Sequence, residues 1–347
     1  LQRSIKRVAD PKKSILLVEL PVVFSGGVLA DYHRHDQFMK TERTSSGLGG
    51  VHGIDHFMLD VPDLGEARRF VEAFGLRVEA GVDELRVRAG DDHVWCRLQR
   101  SDAKRLRYVS FGCFEPEFSG IRERALAANA VRIAPAADLP NPGFWFLDCD
   151  GNAIQVMVAP KRLPDAKASP GVRDSAAGRR GVRGRSAAPR VEPTRLSHVL
   201  LFTPDVARQV EFYGFVLGLK LSDRCANDIA FMHARHGSDH HLVAFGRSDR
   251  PGWHHSAWEV TGVDEVGLGA MQMREAGFPR GWGVSRHVLG SNYFWYAEDP
   301  WGSFWEFSAD MDYIPAGAEW PAADHPAEDA FYLWGPEAPA NFHDNTG

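Results

Sequence analysis

The chain has 347 residues, 44% of them hydrophobic, which is material enough for two ordinary domains with packed cores. A formal net charge of −6 argues against a nucleic-acid partner, because phosphate contacts need a basic face. No apolar run approaches the length of a bilayer span, so no membrane partner is expected. The four cysteines, Cys96, Cys113, Cys149 and Cys225, lack the C-x-x-C spacing of a disulfide framework or zinc ribbon.

The apolar stretch from Ile15 to Phe24 is interrupted by Glu19 and Pro21 and reads as a buried strand. Basic residues precede it, but no cleavage-type pattern of small residues follows, and a cytoplasmic location is expected. His33 and His35 lie in this N-terminal extension, outside any repeat, and are assigned no metal role.

Beyond it the chain repeats itself. Ile54 to Leu64 and Leu196 to Val206 each run from an apolar strand carrying a histidine into Pro-Asp, and a Gly-Leu pair follows. His56, Pro62 and Gly75 thus match His198, Pro204 and Gly218. Pro-Asp predicts a helix start and Gly-Leu its end, about a dozen residues later. The halves close alike: Trp145 to Gln155 parallels Tyr296 to Glu306, a strand, a turn containing glycine and a second strand. The predicted fold is α+β, with tandem βαβββ modules whose curved sheets enclose cavities. The expected parts are an extension over 1–49, modules over 50–160 and 195–315, a flexible basic linker over 161–194, and a tail over 316–347. From Lys161 to Arg195 there are ten Lys or Arg against three Asp or Glu. A solvated linker accounts for that run; a lid over an anionic substrate is the lesser reading.

The chemistry concentrates in the second module. His198 sits on its opening strand, His255 on the strand from Trp253 to Val260, and Glu306 on the last strand. Two imidazoles and a carboxylate on one face leave coordination positions open, an arrangement suited to iron(II) that activates oxygen. Taken singly, a buried histidine is more often a hydrogen-bonded core residue than a ligand.

The set resembles the type I extradiol dioxygenases of the vicinal oxygen chelate superfamily, which cleave catechol rings. The motifs are Leu196-Ser197-His198, His240-His241-Leu242-Val243-Ala244-Phe245, His254-His255-Ser256-Ala257-Trp258-Glu259-Val260, and Arg286-His287-x8-Tyr296-x4-Trp301-Gly302-x3-Glu306, covering Gly50 to Tyr313. The resemblance implies a vicinal oxygen chelate (glyoxalase-like) fold of two barrel-like domains. It implies His198, His255 and Glu306 as metal ligands, with the second residue of the His254-His255 pair preferred. It also implies His241 as acid/base, and His287 and Tyr296 as residues that hydrogen-bond substrate. His254, His240 and His236 are read as structural or pocket-lining. One departure is that Val288 to Asn292 lacks the acidic residue that some biphenyl-type members carry there.

The cofactor implied is Fe(II), with Mn(II) left open by the ligand types. The partners implied are a catechol and O2, in a homo-oligomer. In the first module His56 stands at the first ligand position, while Tyr108 and Gln155 stand where His255 and Glu306 would be, a poor metal set. Two other readings are a 4-hydroxyphenylpyruvate type of dioxygenase and a non-catalytic ligand-binding or resistance protein on the same scaffold. His241 and the step from His287 to Tyr296 favour ring cleavage over the first; the intact second set argues against the other.

Overall fold

The computed structural model describes residues 49–135, 143–169, 177–182 and 184–347. The expected strand over Ile15–Phe24 and the pair His33 and His35 lie outside the described residues.

The first half runs β1 (Val51–Val61), α1 (Leu64–Ala73), β2 (Arg77–Ala80), β3 (Glu84–Arg88), β4 (Val94–Arg100), β5 (Arg105–Cys113), α2 (Glu115–Ala127), β6 (Phe144–Leu147) and β7 (Ala153–Val158). The second runs β8 (Arg195–Thr203), α3 (Val206–Leu217), β9 (Lys220–Cys225), β10 (Ile229–His233), β11 (Ser238–Asp239), β12 (Val243–Arg247), β13 (Gly252–Glu259), α4 (Val263–Glu275), β14 (Gly281–His287), β15 (Tyr293–Glu298) and β16 (Phe304–Ala309). The short strands β17 (Tyr313–Ile314), β18 (Ala323–Asp324) and β19 (Tyr332–Trp334) follow.

The Pro-Asp signal works as an N-cap in both halves. Asp63 accepts the amides of Gly65 and Glu66, and Asp205 accepts that of Arg208, each satisfying donors that the first helical turn leaves open. Gly218 ends α3 in the left-handed region, at φ 73°. Gly75, at φ 98°, follows α1.

The first half forms one seven-stranded sheet, β2-β3-β4-β1-β5-β7-β6. The second forms a ten-stranded sheet, β18-β9-β10-β12-β8-β13-β16-β15-β14-β19. Each is centred on an antiparallel pair, β1 with β5 or β8 with β13, flanked on either side by a parallel neighbour. A βαβββ unit thus meets its own repeat back to back, giving a sheet that curves around one central position.

The two halves share a continuous core. Phe74 stacks on Phe307 at 3.8 Å and Phe57 on Trp253 at 4.8 Å between ring centroids. Each buried aromatic contributes about 1.5–3 kcal/mol of apolar burial. The basic segment between the halves is pinned at both ends, by Leu163 and Val191 in that core. Its last basic residue belongs to β8 rather than to solvent: buried Arg195 pairs with Asp239 at 2.8 Å and Glu259 at 2.8 Å. All four cysteines are free thiols.

Gly75 marks where linker and first half meet, since a Cβ there would stand 2.1 Å from the Val191 carbonyl oxygen. Gly75→Ala should cost about 2–4 kcal/mol, from the left-handed backbone and the clash together. Gly151→Ala, also at positive φ but with open space around it, should cost about 1 kcal/mol. Urea denaturation of the two variants checks the difference.

Candidate metal centre

His198 lies in the middle of β8, whose residues are all buried, and His255 lies on the neighbouring β13. Glu306 lies on β16, on the far side of β13. The register brings them to one spot: Ala257 faces His198 across one ladder and Glu306 across the other. His198 Nε2 is 3.3 Å and His255 Nε2 3.5 Å from Glu306 Oε2, and the two Nε2 atoms are 3.2 Å apart. Among the described residues this is the one set of three His, Cys, Asp or Glu side chains gathered closely enough to hold a metal ion.

The triangle fits a divalent ion on chemical grounds. Donors about 2.1 Å from one ion and at right angles to each other stand about 3 Å apart. Glu306 is 0% exposed, and its Oε2 has no hydrogen-bond partner. Its other oxygen, Oε1, accepts Asn292 Nδ2 at 2.9 Å. A bare carboxylate oxygen buried between two imidazoles calls for a cation. Burial holds the His255 imidazole well below its usual pKa, in the neutral form that can ligate.

The other expected residues surround this triangle. The His241 ring lies 4.1 Å from that of His198, and burial, reinforced by the neighbouring histidines, keeps it neutral. The Tyr296 ring lies 5.2 Å from that of His255, and its hydroxyl meets His287 Nε2 at 3.0 Å. Burial first, then the Glu306 carboxylate, push the Tyr296 phenol well above its ordinary range. His287 donates Nδ1–H to the Phe331 carbonyl at 2.8 Å, which turns Nε2 toward Tyr296. An apolar wall of Leu200, Phe231, Ala244 and Leu289 stands beside His241.

Sequence reasoning missed two contributors. Asn292 lies in the stretch where only the lack of an acidic residue is noticeable, yet it holds Glu306. The tail, which carries no motif, is built into the second half. Phe331 and Phe342 supply carbonyls to His287 and His254, while Trp320, Ala323 and His325 hydrogen-bond Asp223. His254 points to that carbonyl rather than to the triangle. His236 pairs with Glu117 at 3.0 Å.

The first half carries the counterpart position. Tyr108 faces Met58 as His255 faces Leu200, and Gln155 faces Ser110 as Glu306 faces Ala257. Here His56 Nδ1 donates to Asp55 at 2.6 Å, and its Nε2 accepts the Tyr108 hydroxyl at 2.9 Å. A cavity of about 390 Å³ lies over these residues. Its Arg97 is paired with Glu84 at 2.9 Å and its Arg88 with Glu79 at 3.0 Å.

Residues 195–307 match the family model described as Glyoxalase/Bleomycin resistance protein/Dioxygenase superfamily. Across 317 residues the chain is 50% identical to metapyrocatechase 2 of Cupriavidus necator, covering 91% of this chain and 99% of that protein. The chain therefore belongs to the extradiol dioxygenases of that superfamily. Its fold is also that of the Mn(II)-bound glyoxalase from Novosphingobium aromaticivorans (TM-score 0.70, 24% identity, 86% of this chain and 97% of that one). It likewise resembles the 2,2',3-trihydroxybiphenyl 1,2-dioxygenase from Sphingomonas wittichii strain RW1 (TM-score 0.65, 21% identity, 83% and 100%). No helix among the described residues is long and apolar enough to cross a membrane.

Asn292 gives a direct handle on the centre. Asn292→Ala removes the donor to Glu306 Oε1 and frees the carboxylate to turn, so affinity for a divalent ion should fall about 10–100-fold in a protein that stays folded. Anaerobic metal titration against the unsubstituted protein measures this.

Proposed function

We propose that this protein cleaves the aromatic ring of a catechol with O2, incorporating both oxygen atoms into a ring-opened semialdehyde, at one Fe(II) held by His198, His255 and Glu306. The observation that carries the reading is the buried, unpartnered Glu306 Oε2 facing two imidazole nitrogens. Three protein ligands leave positions for two further reactants. Mn(II) satisfies the same donors, and Fe(II) is the choice that matches ring cleavage with O2.

When bound, such an ion supplies a common centre for the deprotonated diol and O2, so that their encounter becomes intramolecular. The remaining work falls to this chain's residues. Tyr296 and His287, linked by their 3.0 Å hydrogen bond, orient a substrate hydroxyl. His241, a neutral and fully enclosed imidazole, takes a proton from the incoming diol at a ring nitrogen and returns it as the ring opens. The wall of Leu200, Phe231, Ala244 and Leu289 packs against the ring and excludes water. That wall favours a hydrocarbon-substituted catechol over a carboxylated one. Assembly into a homo-oligomer belongs to the same proposal, with exposed Leu333 and Trp334 on edge strand β19 as candidate contacts.

The test is anaerobic loading with ferrous iron, addition of catechols with and without ring carboxylates, and admission of air. Oxygen uptake should match the appearance of a yellow ring-opened product. Glu306→Ala should lose both metal and turnover, while His241→Phe should keep metal and lose about 10²–10⁴ in kcat. Tight catechol binding with no oxygen consumed across the panel would instead make the protein a ligand-binding member of the family.

A further inference from the structure

Both functional histidines with a histidine immediately before them are held by that neighbour in the same way. His254 Nε2 meets the Phe342 carbonyl oxygen at 2.6 Å, and His254 Nδ1 meets His255 Nδ1 at 2.6 Å. His240 Nε2 meets Asp223 Oδ2 at 2.8 Å, and His240 Nδ1 meets His241 Nδ1 at 3.1 Å. All four rings are buried.

Consecutive side chains of a regular strand point to opposite faces, so two such rings should not meet. The ladder between β13 and β8 shifts register between Trp253 and His255, making His254 the extra residue of a bulge that turns its ring toward its neighbour's. His240 and His241 lie between β11 and β12, where Gly290, at φ 90°, comes close: a Cβ on it would stand 3.4 Å from His240 Nδ1. Two different backbone devices therefore produce one contact, Nδ1 to Nδ1.

The proton positions follow from what each partner can do. A carbonyl oxygen or an ionised carboxylate only accepts, so a first ring that is neutral carries its proton on Nε2 and offers a lone pair at Nδ1. The second ring must then donate Nδ1–H, which leaves its Nε2 lone pair free. For His255 that atom is the one facing His198 and Glu306.

We infer that His254 and His240, both as neutral rings, are positioning residues that lock His255 and His241 in the Nδ1–H tautomer, each anchored from outside the centre, by the Phe342 carbonyl and by Asp223. His254 is buried and its outer nitrogen meets an uncharged carbonyl, surroundings that disfavour a charged ring. Asp223 is held low, to about 2, because its hydrogen bonds from His240, His325, Trp320 and the Ala323 amide outweigh its burial, so it accepts only. Both anchors depend on the tail, which supplies Phe342 to one and three of the Asp223 donors to the other. The tail thus reaches the ligand His255 through His254.

This inference rests on the roles proposed above for His255 and His241, but its test reads tautomers, which are independent of turnover. In protein labelled with 15N-histidine, two-bond 15N–1H correlation distinguishes the Nδ1–H ring from the Nε2–H ring, with peaks assigned from single variants. In the metal-free protein His241 and His255 should both be Nδ1–H. His254→Leu should release His255 into a tautomer mixture and weaken Zn(II) binding at least about 10-fold. His254→Asn, whose Oδ1 can accept in place of Nδ1, should restore both. His240→Leu and His240→Asn should do the same to the His241 tautomer. An Nε2–H ring at either residue in the unsubstituted protein would overturn the inference, as would unchanged tautomers in the leucine variants. Should a leucine variant not fold, the unsubstituted spectrum still decides.

Discussion

A carboxylate taken wholly out of water needs compensation for its lost hydration, from hydrogen bonds, a cation or both. Glu306 accepts Asn292 on one oxygen and presents the other to the Nε2 atoms of His198 and His255. Much of the second half is arranged around that imbalance. β8, β13 and β16 lie side by side so that three donors meet. The helices cover the opposite face, and the tail closes the periphery with carbonyls and ring hydrogen bonds. A divalent ion held there would resolve the imbalance and leave coordination positions for chemistry.

The first half shows what the same scaffold does without that demand. Its registers match residue for residue, so Tyr108 and Gln155 occupy the places of His255 and Glu306. There the histidine is satisfied by Asp55 on one side and the Tyr108 hydroxyl on the other, a closed arrangement of hydrogen bonds. Two of the arginines that line its cavity, Arg88 and Arg97, are paired with glutamates. Both halves nevertheless share one core, so the first half supports the second by packing, through contacts such as Phe74 on Phe307.

Features that depend on local chemistry were legible in the sequence. Asp63 and Asp205 cap helices because a short acidic side chain before an apolar period has that one good use, and Gly75 and Gly218 mark the ends for a similar reason. The metal triangle was legible as a combination: any one of His198, His255 and Glu306 is ambiguous, whereas their spacing within a repeated pattern is not. The supporting contacts were hidden. Asn292 holds Glu306 across a sheet, and Phe331 and Phe342 act through backbone carbonyls, which leave no trace in side-chain identity. Arg195 looked like the end of a basic run because pairing with Asp239 and Glu259 is set by folding over 44 and 64 residues of chain. The first histidine of each doublet looked structural because the bulge that turns His254 toward His255 is a property of the ladder.

The central claim is that one divalent ion sits between His198, His255 and Glu306, and X-ray absorption on protein loaded anaerobically with ferrous iron tests it most directly. The account predicts one iron per chain, with a first shell of nitrogen and oxygen at about 2.0–2.2 Å and outer-shell scattering from two imidazoles that becomes that of one in His255→Ala. Two irons per chain, or a single iron whose imidazole scattering is unchanged in that variant, would contradict it.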